Sequence, residues 1–191
     1  MESTEPTLAS PGAGLPLHEQ LLIKFFILPR LSRKLSREEA IALFDAEGRE
    51  ALTLAQGLSE EDLVRPVLID RVRGIEDSSR NWSVVMTLHH LIIVGAGIKQ
   101  AIQLLNRGTV PNRETRIQDV KPDPNTGPEI LRKFEDWLDQ HPEGLKNLPW
   151  PQDVKHVHPW FGPMNADVWL RLNAVHNGLH RKQIEKIIEG L

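Results

Sequence analysis

Cysteine is absent from the 191 residues. That excludes disulfides, thiolate metal sites and a cysteine nucleophile. Any metal must be held by imidazole or carboxylate, and the eight histidines supply the first of these. A basic stripe is also missing. The formal net charge is −3 with both signs interspersed, so no nucleic-acid partner is expected. Residues 1–16 (MESTEPTLASPGAGLP) lack the basic start and continuous apolar core of a signal peptide. They are small, polar and rich in Pro and Gly, and they read as a disordered lead-in. The apolar stretches at 21–28 and 88–98 are interrupted or too short to span a bilayer. The expectation is a soluble, cytoplasmic chain with no membrane partner.

Alternating apolar patterns are scarce, and helical patterns dominate. Residues 17–30 (LHEQLLIKFFILPR) form an accessory helix with a wide apolar surface that Pro29 ends or kinks. That surface either packs on the domain body or meets another subunit. Ser36-Arg37-Glu38-Glu39 is a capping box opening a helix that stops near Gly57. The stretch 58–80 reads as an irregular connection. Ser83 is a good N-cap for a long helix ending near Asn106, apolar almost all round and therefore the most buried of the set. Prolines at 111, 122 and 124 keep 109–127 in a loop. Residues 128–140 form a third helix, ended by His141-Pro142. Asn165 caps a last helix from Ala166 to about Gly190. The sum is an all-α domain over 36–191: a four-helix bundle with an extra N-terminal helix (17–35) and long inter-helix loops.

On the last helix His176 and His180 stand one turn apart. At about 100° per residue, both rings project from one side of the helix and can share an ion. Each ring alone is equally served by a backbone carbonyl or a water. A zinc-like site needs a third or fourth ligand, and the buried helix offers His89-His90. Only one of two adjacent positions can face the same centre. His90 shares its face with Thr87, Val94, Gly97 and Ala101, whose small side chains leave room for an ion and substrate. His89 is read as a core or rim residue behind the ligands. His156-Val157-His158 alternates as a strand would, within a proline-rich passage. His158 is placed to reach the pocket mouth, and Gln183 to orient a ligand or water. His18 and His141 read as surface or helix-end residues.

Taken in order, these features resemble the DinB-like (YfiT-type) superfamily of bacterial four-helix-bundle proteins. The residues that carry the likeness are Trp82-Ser83 opening a helix, His90-Leu91, and His176-x-x-x-His180-x-x-Gln183-Ile184. His158-Pro159-Trp160-Phe161-Gly162-Pro163-Met164-Asn165 followed by Trp169 looks like an uncharacterised subgroup of it. The likeness covers roughly residues 36–191. It implies that His90, His176 and His180 bind a divalent metal, commonly zinc or nickel, with water completing the shell. It also implies a homodimer. Some members are thiol transferases or isomerases that use a low-molecular-weight thiol. A metal-dependent enzyme follows as the leading expectation, transferring an external thiol or hydrolysing its substrate. The competing expectation is a stress-associated binding or scaffold protein whose metal is structural.

Overall fold

The computed structural model describes residues 7–112 and 116–191. Helices dominate, and four of them close a ring. Helix α1 (Leu17–Leu22), a π-helical turn (Ile23–Ile27) and α2 (Leu28–Lys34) form one continuous element. Pro29 therefore does not end it. A proline removes one backbone bond and crowds the preceding turn; here the widened π-turn lies immediately before it, and the chain stays helical past the ring.

Helix α3 (Arg37–Gln56) opens on the expected capping box. Ser36 Oγ accepts from the Glu39 amide at 3.1 Å, and Glu39 Oε2 accepts from the Ser36 amide at 2.7 Å. The stretch 58–80 is more regular than its sequence suggests. It contains α4 (Glu60–Val64), strand β1 (Val67–Leu68) and a 3-10 turn at Asp77–Ser79. Strand β2 (Asn81–Trp82) pairs antiparallel with β1, Val67 opposite Trp82. Ser83 then caps α5 (Val84–Asn106). A loop with a second 3-10 turn (Ile117–Val120) leads to α6 (Ile130–Gln140). Strands β3 (Lys155–His158) and β4 (Gly162–Asn165) make a hairpin with His156 opposite Met164. Asn165 caps α7 (Ala166–Glu189).

In the ring, α3 packs on α7, α7 on α5, α5 on α6, and α6 back on α3. Helix α5 is its apolar centre: Val84, Val85, Leu88, Leu91, Ile102 and Leu105 are all at most 1% exposed. Each such side chain contributes roughly 1.5–3 kcal/mol by leaving water. By length and composition α5 also suits a membrane crossing. The core helix of a bundle meets the same criterion, and half of that stretch is buried in the fold, where α5 packs on α6 and α7. Close packing needs glycine at two places. A Cβ on Gly48 would lie 2.5 Å from Leu138 Cδ2, and one on Gly95 would lie 3.0 Å from the Trp137 ring.

The segment read as a disordered lead-in has fixed partners over 7–16, while residues 1–6 lie outside the described ones. Gly12 and Gly14, both at positive φ, turn their amides onto Glu76 Oε1 at 2.8 and 3.0 Å. Lys121 Nζ reaches Glu76 Oε2 at 2.9 Å. Burial alone would raise the Glu76 carboxyl; the bonds from Ser78, Gly14 and Lys121 outweigh it and hold the group below its ordinary range.

His141 corrects a second expectation. It caps α6, but it is completely buried, stacked on Phe44 at 3.6 Å between ring centroids and edge-on to Trp137. The residue after the helix folds beneath it against α3, which helical periodicity does not show. Asn173 Nδ2 donates to His141 Nε2 at 3.2 Å, and the ring's Nδ1 has no partner. Burial, and then the Lys99 charge, push its pKa down from 6.5 to about 3. The unfolded chain therefore binds the proton first, so this group's stabilisation is complete above pH 6.5 and is lost as the pH falls toward 3. Replacing His141 with Leu is expected to remove about one proton, or ~1.4 kcal/mol per pH unit, from the acid slope of unfolding stability. Denaturant titrations of both proteins across that range check this; parallel slopes would show that His141 is protonated in the fold.

Candidate metal centre

Helices α5 and α7 pack along one seam, and the three histidines meet there. His90, His176 and His180 each offer one ring nitrogen, and the three atoms lie within 4.8 Å of one another. His90 and His180 are buried and His176 is half-buried. The i, i+4 spacing on α7 brings the His176 and His180 rings to 4.4 Å, and His90 comes across from α5 at 5.2 and 4.6 Å.

Backbone carbonyls set the ring tautomers. The Val120 carbonyl can only accept, so His90 Nδ1, 2.7 Å away, carries the proton and Nε2 keeps its lone pair. Gln183 Nε2 donates to the Ser79 carbonyl at 2.7 Å, which turns Oε1 toward His180 Nδ1 at 2.6 Å. His180 Nδ1 is therefore the donor there, and its Nε2 is the free ligand atom. This places Gln183 behind a histidine, orienting the ring itself rather than a bound molecule. His90 Nε2 and His176 Nε2 stand 3.3 Å apart. Two imidazoles on a tetrahedral zinc-like ion stand about 3.3 Å apart as well. The His176 Nδ1 has no hydrogen-bond partner.

The electrostatics agree with that role. Burial pushes His90 down to about 4 against the opposing Val120 bond, and it pushes His176 and His180 well below their ordinary value, with His90 lowering both of them further. At neutral pH all three are uncharged, the form a metal requires. Lone pairs on His90 Nε2 and His180 Nε2 converge here, and His176 Nε2 adds a third when its proton sits on Nδ1; without a cation such acceptors are costly to bury. A divalent ion relieves this, so the residues fit one, and among the described residues they can hold it without any acidic ligand.

The remaining candidates lie around the triad. His89 stands outside it on the rim, its Nδ1 bound to Thr126 Oγ1 at 2.8 Å. His156 and His158 sit on β3 and both rings lie against Trp169, at 6.0 and 5.3 Å. His158 also stacks on Phe161 at 4.4 Å, and burial pushes its pKa down to about 3. Its Nδ1 accepts from the Trp160 amide at 3.1 Å, which leaves the proton on Nε2. His18 is exposed on α1.

The three histidines and His158 line one end of a cavity of 660 Å³. Its other walls are largely apolar. Val94, Gly97 and Ala101 of α5, Leu172 and Leu179 of α7, and Leu31 of α2 are among them. Sequence reasoning did not identify Trp82 as a wall of the site. Its ring lies 5.1 Å from His90 and 6.2 Å from His180, with Lys121 Nζ 5.2 Å above it. Nor could it place the Val120 and Ser79 carbonyls, since no side chain marks a backbone acceptor.

No family model, curated protein or solved structure matches this chain.

Replacing His90, His176 or His180 with Ala is expected to abolish stoichiometric metal, and His89→Ala to leave it intact. Elemental analysis after purification without a nickel column measures this. One metal per chain in the His176→Ala and His180→Ala proteins would overturn the assignment. Gln183→Ala is expected to weaken metal affinity roughly 10- to 100-fold by freeing the His180 ring. Competition with a chromophoric chelator reads that change.

Proposed function

We propose that the chain is a divalent-metal-dependent enzyme of the DinB-like type, with zinc or nickel held by His90, His176 and His180. Its reaction is the addition or transfer of an external low-molecular-weight thiol on a largely apolar substrate. The observation that supports this most directly is the ligand count. Three histidines converge, the described residues supply no fourth ligand, and the group opens onto a cavity of 660 Å³. A structural ion is normally closed by four protein ligands, whereas a catalytic one keeps a position for its reactant.

When bound, the ion supplies Lewis acidity that makes a neighbouring thiol or water ionise near neutral pH. The chain's own residues do the rest. Without cysteine, it must take its nucleophile from solution. Val120 and Gln183 hold two of the rings by Nδ1, so the ligand atoms keep their direction. The aliphatic walls exclude bulk water and favour an apolar acceptor. His158, neutral and presenting Nε2–H, can donate a hydrogen bond to a polar atom of that acceptor. Hydrolysis by the same centre is the nearest competing chemistry, since water fits wherever a thiol does.

Cobalt-substituted protein tests the open position. Addition of bacillithiol, mycothiol or glutathione is expected to produce a sulfur-to-cobalt charge-transfer band with at least one of them, followed by thiol consumption when electrophilic acceptors are supplied. A spectrum unmoved by all three would overturn thiol transfer. His158→Phe is expected to lower turnover while metal content stays unchanged.

A further inference from the structure

Helices α1 and α2, with the π-turn between them, expose a ridge of large apolar side chains. Leu17, Leu21, Leu22, Phe25, Phe26 and Ile27 are between 37% and 70% exposed. Six large apolar side chains along one short element exceed the scatter normal for a protein surface. The exposed charge of this element has one sign. Lys24, Arg30, Arg33 and Lys34 are exposed, and none pairs with an acid among the described residues. Lys24 Nζ lies beside the Phe25 ring at 5.5 Å. The single acid of residues 17–34, Glu19, is turned inward and bound by Arg71 and the Gly74 amide. The chain as a whole is acidic, at −3, so this segregation of cations runs against its composition.

We propose that this face lies on an anionic phospholipid bilayer, with Phe25, Phe26 and the leucines in the acyl boundary and the four cations among the headgroups. An apolar face bordered by Lys and Arg is what a helix lying in a membrane interface requires. This proposal departs from the sequence expectation of no membrane partner. A second copy suits the face less well. Two-fold pairing about the Phe25-Phe26 centre would set each Lys24 near its own copy, with the element's one acid, Glu19, already bound inward.

The ridge is continuous with the cavity. Leu22 and Ile27 are exposed on the ridge and also line the cavity, together with Ile23 and Leu28. A membrane-dissolved apolar molecule can therefore pass from bilayer to cavity along aliphatic wall. That makes bilayer-partitioned compounds the substrate class, a step that rests on the enzymatic reading above; the docking itself does not.

Flotation of the full-length protein with vesicles tests the docking. Protein is expected to float with vesicles of phosphatidylcholine plus phosphatidylglycerol, weakly with phosphatidylcholine alone, and to be released by high salt. F25S/F26S is expected to reduce flotation roughly tenfold or more, and R30E/R33E/K34E to remove the preference for anionic lipid, both with unchanged circular dichroism. Chelator-treated protein should float as well as metal-loaded protein, which separates this result from failure of the metal site. Absence of flotation with either vesicle would overturn the proposal. So would a dimer, by light scattering, that F25S/F26S splits into monomers, since the face would then belong to a second copy.

Discussion

Three neutral imidazoles meeting at one seam, two of them buried, impose a demand that much of the surrounding structure serves. Each ring must shed water without gaining charge, so every nitrogen needs a partner or an ion. The chain meets part of that demand with backbone. Val120 closes a 3-10 turn to reach His90, and the Ser79 carbonyl orients Gln183, which in turn orients His180. Lys121, one residue beyond Val120, is drawn toward Glu76 and two serines, which anchors the same loop on the other side. The long connections of this bundle are thus held by the site as much as they frame it. The demand is left incomplete at His176, whose Nδ1 finds no partner.

Much of the helical arrangement was legible in sequence because its signals are local. Ser36, Ser83 and Asn165 each cap a helix by bonding an amide three residues on, and a cap is visible without knowing the fold. The histidine pair on α7 was legible for the same reason, as spacing within one helix. His90 required an argument about faces, because adjacent positions diverge and the small residues near it mark space. What escaped was non-local. Burial of His141 depends on α3 lying beneath the end of α6. The order in residues 7–16 depends on a carboxylate sixty-four residues from Gly12. Pro29 was read by its usual effect, and a π-turn just before it altered the outcome.

The N-terminal element and the three histidines line one cavity, although they are separate features in the sequence. Ile23, Leu28 and Leu31 hold this element on the body, and the same element leaves Phe25, Phe26 and four cations exposed. One short segment therefore both lines the pocket and carries exposed apolar side chains beside it.

The ligands also have a topological consequence. His90 and His176 are separated by 86 residues, and the intervening chain contributes the Val120 carbonyl, α6 and the β3–β4 hairpin. Closing so long a segment is entropically unfavourable until the helices at both ends are packed. Contacts of that span tend to consolidate late in folding. Ion capture would then report on completed folding: a partly assembled chain offers at most the α7 pair, and the full ligand set exists only once α5 and α7 have met.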